Sequence, residues 1–203
     1  MFIGAQVSLY PMTSDFVDVI TSGLDALSPY KNDLRIETDD ISTLMVGSPD
    51  PLFDAIRDLF AAAARQPAHV TMHVTFSRGC PGEPDDPICR CETLERAQDD
   101  SLAERQRLAA EAVETALDLG VDIDVQFSLY VMGNGDHMAE IYGCIDFLKA
   151  SGTFFKAKNF STRLRGDAGA VFETLRQAFL RFGPAEGHVT IDMTASANSP
   201  SLR

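Results

Sequence analysis

The chain states one pattern twice. Gln6-Val-Ser-Leu-Tyr-Pro-Met12 returns as Gln126-Phe-Ser-Leu-Tyr-Val-Met132, with five of seven positions identical. A gap-free match extends this at a spacing of 119 residues: Ser42, Thr43, Gly47, Phe53, Phe60, His69, Val70, Thr71, Thr75, Ser77 and Pro81 recur as Ser161, Thr162, Gly166, Phe172, Phe179, His188, Val189, Thr190, Thr194, Ser196 and Pro200. The fold must therefore be a tandem of two similar units of roughly eighty residues, and a site in one unit has a counterpart in the other.

Within each unit the hydrophobic period switches between two and 3.6. Gln6 to Met12 alternates, Ser14 to Leu27 places Phe16, Val17, Val19, Ile20, Leu24 and Leu27 at helical spacing, and Ser14 is a candidate N-cap. Leu34 to Thr38 and Ile41 to Val46 read as a strand pair joined by Asp39 and Asp40, Asp50 to Ala64 as a second helix, and His69 to Ser77 as a final strand. The second unit repeats this over Asp122 to Met132, Asp136 to Ala150, Thr153 to Ala157, Phe160 to Arg165, Asp167 to Phe182 and His188 to Ser196. The order strand, helix, strand, strand, helix, strand predicts an α+β chain of two ferredoxin-like units. Each has an antiparallel four-stranded sheet with strands one and three at its centre. The expected domains are residues 1–82, a linker at 83–121, and residues 122–203. The linker holds a Pro-rich, Cys-bearing loop and an amphipathic helix within Ser101 to Leu119, stopped by Gly120. Its length lets the units pack side by side or back to back.

Alternation also sorts the side chains of each strand by face. Val7, Leu9, Val70, Met72, Val74 and Phe76 belong against the helices. The opposite face carries Gln6, Ser8, Tyr10, Met12, His69, Thr71, His73, Thr75 and Ser77, matched by Gln126, Ser128, Tyr130, Met132, His188, Thr190, Asp192, Thr194 and Ser196. Two explanations stand for this polar floor. It packs against the other unit or a second subunit, or it receives a small flat heterocycle with Tyr and Met against the ring and hydroxyls at the edge.

Composition narrows the function. A formal net charge of −13 disfavours nucleic acid and anionic membranes as partners. No apolar run is long enough to span a bilayer and no leader is visible after Met1, so a cytoplasmic protein is expected. There is no phosphate-binding loop, nucleophile elbow or His-Glu-x-x-His motif, and Gly133-Asn-Gly135 is too short for a dinucleotide fingerprint. His69 and His188 are repeat-related but sit at strand entries, while His73 and His137 have no histidine counterpart. Cys80, Cys89 and Cys91 form the one thiol cluster in the sequence, but their spacing lacks the paired units that close a zinc tetrahedron. No cofactor is expected, and catalysis has no visible engine.

Four segments together carry a family likeness: Ser8-Leu-Tyr-Pro-Met-Thr-Ser-Asp-Phe16, Thr38-Asp-Asp-Ile-Ser-Thr43 with Gly47-Ser48, Phe76-Ser-Arg-Gly-Cys-Pro-Gly82, and Thr194-Ala-Ser-Ala-Asn-Ser-Pro200. On them the chain resembles the YkoF family of thiamin and hydroxymethylpyrimidine (HMP) binding proteins. The resemblance implies tandem ferredoxin-like repeats, a cytoplasmic homodimer, and binding without reaction, linked to uptake or salvage of thiamin or its pyrimidine half by an ABC transporter.

An aminopyrimidine asks for a ring platform and for hydrogen-bonding groups at its edge. The candidate platforms are Tyr10, Met12, Tyr130 and Met132. The candidate edge contacts are Ser8, Ser42, Thr43, Thr75 and Ser77, with Ser128, Ser161, Thr162, Thr194 and Ser196; Thr43 and Thr162 can instead face the helices. Asp15 and Asp136, just past the first strand of each unit, are candidate acceptors or helix N-terminal acids. Arg163 and Arg165 replace Leu44 and Val46, so the first site is expected to hold the thiazolium cation more tightly. The rival readings are a structural or regulatory oligomerisation protein and a metal-responsive binder using Cys80, Cys89 and Cys91.

Overall fold

The computed structural model describes residues 3–80, 101–132, 137–184 and 187–201. Cys89, Cys91 and Asp136 lie outside these residues. The strands are β1 (Ile3–Met12), β2 (Leu34–Thr38), β3 (Thr43–Gly47), β4 (His69–Arg78), β5 (Asp122–Met132), β6 (Phe154–Ala157), β7 (Thr162–Asp167) and β8 (His188–Ala197). The helices are α1 (Phe16–Asp25), α2 (Pro49–Ala64), α3 (Leu102–Glu114), α4 (His137–Ala150) and α5 (Ala168–Arg181). The class is α+β, and every strand pairing is antiparallel. No helix among the described residues is long and apolar enough to cross a membrane.

The two units share one sheet of eight strands, in the order β2-β3-β1-β4-β8-β5-β7-β6. Each half places its first and third strands between its second and fourth. The fourth strands, β4 and β8, then join the halves edge to edge, so the units lie side by side. At the seam Val74 faces Met193, its own repeat equivalent, and the pairs spread evenly from Val70↔Ala197 to Arg78↔Val189. A pseudo-two-fold axis therefore passes through Val74 and Met193. Pairing the two inner edges in this way leaves β2 and β6 as the open sheet edges among the described residues.

The helices cover one face, and the predicted alternation decides which. Val70, Met72, Val74, Phe76, Val189, Ile191, Met193 and Ala195 are fully buried beneath them. The core crosses the seam. Phe53 of α2 meets Phe179 of α5 at 5.6 Å, and the symmetry-related pair Phe60 and Phe172 meets at 6.4 Å. Phe53 also stacks on Phe76 at 4.4 Å, an aromatic contact with no partner copy because Ala195 stands opposite in the repeat.

The linker helix belongs to the second half. It begins at Ser101, whose hydroxyl accepts from the Glu104 N–H at 3.2 Å, and it packs on α4 and α5 through Arg105, Ala109 and Val113. A Cβ on Gly143 would stand 2.5 Å from Leu102, so the absence of a side chain there sets how closely α3 and α4 approach. Arg105 makes a bidentate pair with Glu140, 2.7 Å to each carboxylate oxygen. After α3 the chain is held by Asp167, the N-cap of α5: its carboxylate accepts from the N–H groups of Gly169 (2.8 Å), Leu119 (3.1 Å) and Val121 (3.0 Å).

Partial burial pushes the Asp167 carboxyl upward, but those backbone N–H groups outweigh it and hold the group below the usual carboxylate range. A depressed folded-state value means stabilisation that is complete above the unfolded value of about 4 and is lost as pH falls through the folded one. Asp167→Asn, which cannot accept at both oxygens, is expected to cost about 1–2 kcal/mol at pH 7. The gap should stay constant above about pH 4 and narrow as the pH falls through the folded value below it, as read by urea unfolding across that range.

The C-terminal ends of β4 and β8 each meet the other half's helix. Asn198, at φ 57°, gives its amide N–H groups to the carbonyls of Ala64, Gln66 and Ala68, where the chain leaves α2. Its repeat equivalent is Gly79, at φ 72°, and the matching work is done one residue earlier. Arg78 reaches the carbonyls of Phe179, Phe182 and Pro184 at the end of α5. Each half thus finishes the second helix of the other.

Candidate functional site

The helix-free face is wired to itself along the seam. His69 Nε2 lies 3.0 Å from Ser196 Oγ, His73 Nε2 lies 2.9 Å from Asp192 Oδ2, and His188 Nε2 lies 2.9 Å from Ser77 Oγ. Thr75 donates to Asp192 at 3.3 Å. These cross-seam bonds engage three of the hydroxyls expected at a ring edge, those of Thr75, Ser77 and Ser196. Farther out, Asp124 holds both Arg163 (2.9 Å) and Arg165 (2.8 Å), and Arg165 lies 4.0 Å from the centre of the Phe155 ring. Asp124 is partly buried, which alone would raise its pKa, yet the two guanidinium groups keep it below the usual carboxylate range.

Among the concavities of the described residues, two on the helix side lie at repeat-equivalent places, one in each half. The first, about 300 Å³, lies between Val7 and Leu9 of β1, Ile20 and Leu24 of α1, Leu59 of α2, and the turn from Thr38 to Thr43. The second, about 390 Å³, lies between Phe127 and Leu129 of β5, Ile141, Cys144 and Ile145 of α4, Phe154 of β6, and the turn from Ala157 to Thr162. Both sizes fall in the range of small-molecule pockets. Ser8, Tyr10, Ser42 and Thr43 line the first, and their counterparts Ser128, Tyr130, Ser161 and Thr162 line the second.

The turns that close the cavities share one geometry. The Asp39 N–H donates to the Ser42 carbonyl at 3.0 Å, and the Lys158 N–H donates to the Ser161 carbonyl at 2.8 Å. The repeated serine of the first strand ties the turn down: Ser8 Oγ donates to the Ile41 carbonyl (3.2 Å), and Ser128 Oγ to the Phe160 carbonyl (2.7 Å). Each hydroxyl keeps its acceptor lone pairs for another group. Thr43 turns inward as the register with Val7 requires, and its hydroxyl sits 3.0 Å from that of Thr38. The residues between leave apolar surface in the open: Ile41 is 75% exposed and Phe160 is 93% exposed. An aromatic ring bared at the mouth of an apolar cavity has no packing role in the chain itself.

Both cavities fall inside the two stretches, residues 2–83 and 122–202, that match the model of the YKOF-related Family. The chain belongs to the YkoF family. A relative from Bacillus subtilis (strain 168), named "Putative HMP/thiamine-binding protein YkoF", is 37% identical over 200 residues, covering 98% of this chain and 92% of the relative. The two family stretches are the two halves of the sheet, and they leave out most of the connection that carries α3.

Within these family segments the candidate residues separate into two groups. Ser8, Tyr10, Ser42 and Thr43, with Ser128, Tyr130, Ser161 and Thr162, converge on the cavities. Met12, Asp15, Thr75 and Ser77, with Met132, Thr194 and Ser196, stand outside both linings: the methionines are exposed on the open face, and the hydroxyls lie along the seam. Asp15 occupies the N-cap position of α1 without a side-chain cap bond, in place of the expected Ser14.

The walls Ile20, Leu24, Ile141 and Ile145 were not separable from ordinary core positions by periodicity. Asp39, Asp40, Lys158 and Asn159 were visible as a turn, and the change from acidic to basic at that turn is the signal that marks them. Asp39 accepts from the N–H groups of Ile41 and Ser42, both at 2.8 Å, and these bonds hold its carboxyl below the usual range. Cys144 sits in the wall of the second cavity, where burial pushes its thiol far above the ordinary value, so it is inert. Cys80 is half-buried, and no cluster of three metal-binding side chains occurs among the described residues.

Proposed function

We propose that this protein binds thiamin, its HMP moiety, or both, one molecule in each of the two repeat-equivalent cavities, without catalysing a reaction. The observation that carries this reading is the duplication of the cavity itself. The same serine, tyrosine and Ser-Thr pair surround the same apolar gap in both halves, although the intervening turn residues differ. Side chains needed only for folding have no reason to preserve an empty space, since filling it with larger apolar groups would add stability. The Bacillus subtilis relative is named for the same ligand class.

A flat heterocycle fits what the cavity offers: aliphatic walls against its faces, Tyr10 or Tyr130 at the mouth, and hydroxyls and carbonyls of the turn at its edge. The strand order of each half supports reading each as a ferredoxin-like unit. The exposed Met12 and Met132, which lie outside both cavities, support a homodimer in which a second copy covers them. A cytoplasmic role in thiamin precursor uptake or salvage beside an ABC transporter is the biological setting we infer.

Calorimetric titration with HMP and with thiamin tests the reading. We expect close to two ligands per chain. Ile20→Trp and Ile141→Trp, which fill the first and second cavities, should each remove one binding event while the oligomer, read by light scattering, stays intact. Absence of binding by both ligands in a folded sample would overturn the proposal, and two undiminished events in both tryptophan variants would move the site elsewhere.

A further inference from the structure

The two cavities have matching walls and opposite lips. The first carries Asp39 and Asp40 at its mouth and no basic residue. In the second, Lys158 and Asn159 take those two turn positions, and Lys149 is added from the last turn of α4, with no carboxylate in the lining. The lining therefore changes from two negative charges to two positive ones, in a chain whose net charge is −13. A local concentration of cations against that background is opposite to what general acidity would produce.

The second lip's charges are also available. Neither Lys149 nor Lys158 pairs with a carboxylate among the described residues. Lys158 Nζ donates to the neutral Gln126 Oε1 at 2.8 Å, which leaves two of its three ammonium hydrogens for another acceptor. The nearby Arg163 and Arg165, by contrast, share the Asp124 carboxylate and stand outside the cavity lining. The second cavity is also the larger, at about 390 Å³ against 300 Å³, so it has room for an added group.

We propose that the second cavity takes a phosphorylated, anionic form of the pyrimidine ligand, with the ring against the apolar walls and the phosphoryl oxygens at Lys149 and Lys158. The first cavity takes the uncharged or cationic form. This rests on the reading of both cavities as pyrimidine sites. Two ammonium groups at the lip attract a phosphate dianion through charge-assisted hydrogen bonds, while Asp39 and Asp40 repel the same group from the first cavity. Discrimination then arises from both an attractive and a repulsive element.

The test is titration of the full chain with thiamin and with thiamin monophosphate, in the unaltered protein, the Ile20→Trp and Ile141→Trp variants, and the double variants Lys149→Ala/Lys158→Ala and Lys149→Arg/Lys158→Arg. Both lysines are exposed, and thermal melts confirm that the variants remain folded. We expect thiamin monophosphate to bind once per chain, to be lost in Ile141→Trp, to weaken roughly tenfold at low salt in the double alanine variant, and to be largely restored by the double arginine variant. Thiamin at the first cavity should not respond to the lysine changes. Binding of thiamin monophosphate that Ile20→Trp abolishes, that ignores loss of both lysines, or that is absent while thiamin still titrates would overturn the phosphate assignment and leave the pyrimidine reading standing. If thiamin, HMP and thiamin monophosphate all fail to bind, the pyrimidine reading falls and this assignment falls with it.

Discussion

Arg78→Met should destabilise the protein by about 3–5 kcal/mol and lower its melting temperature by about 10 °C, since a chain of this length loses about 2–4 °C per kcal/mol. The side chain is 1% exposed at the end of β4, and its guanidinium donates to the carbonyls of Phe179 (2.9 Å), Phe182 (3.0 Å) and Pro184 (3.1 Å). Those carbonyls end α5 and have no further helical turn to satisfy them. Methionine fills much of the volume but donates nothing, so three buried or half-buried acceptors lose their partner together. The damage also falls on the seam, because the donor belongs to the first half and the acceptors to the second. Asn198→Ala makes a useful scale. Its amide does the equivalent task for α2, but two of its three bonds are exposed, and the expected cost is about 1–2 kcal/mol including strain at φ 57°. Urea unfolding of both variants checks the ranking. A shift for Arg78→Met no larger than that for Asn198→Ala would mean that water replaces the guanidinium and that the seam does not depend on it.

That contact shows where sequence reasoning reached and where it stopped. The strands and helices were legible because both periods are strong: β4 and β8 bury every second residue, as alternation requires, and the last strand of each half begins at the expected histidine. The faces followed from the same parity, and Thr43 turned inward for the same reason. The joining of β4 to β8 was not legible, because edge pairing is made by backbone groups that leave no signature in side-chain type. The cavities were hidden for a related reason. An aliphatic residue beside a gap, such as Ile20 or Ile141, has the same helical spacing as one in a filled core, and only the neighbouring atoms distinguish them. The residues of the polar floor repeat, but much of that repetition serves the seam, where His69, His73 and His188 meet Ser196, Asp192 and Ser77. The clue to the cavity mouths is a reversal of charge, Asp39-Asp40 against Lys158-Asn159, just before a Ser-Thr pair that repeats.

That mismatch sets the second large effect: thiamin should bind the first cavity about tenfold more tightly than the second. The sequence suggests this order from Arg163 and Arg165, but both are tied to Asp124 and neither lines the second cavity, so the reason moves to the lips. A thiazolium charge about 6 Å from a lip charge feels roughly 0.7 kcal/mol in water per pair. Two attractive carboxylates on one side and two repulsive ammonium groups on the other separate the cavities by about 2–3 kcal/mol before screening. Physiological salt, with a Debye length of about 8 Å, reduces this without removing it. Asp39→Asn/Asp40→Asn isolates the cause. An amide in place of the Asp39 carboxylate keeps a side-chain oxygen for the Ile41 and Ser42 N–H groups, so the turn is retained while both charges go. Thiamin affinity at the first cavity should fall about fivefold, and its salt dependence should flatten. HMP, which carries no thiazolium, should bind nearly as before, a comparison that no loss of cavity shape would reproduce. Equal thiamin affinities at the two cavities, or an equal loss of HMP and thiamin in the double variant, would show that shape and not lip charge ranks the sites.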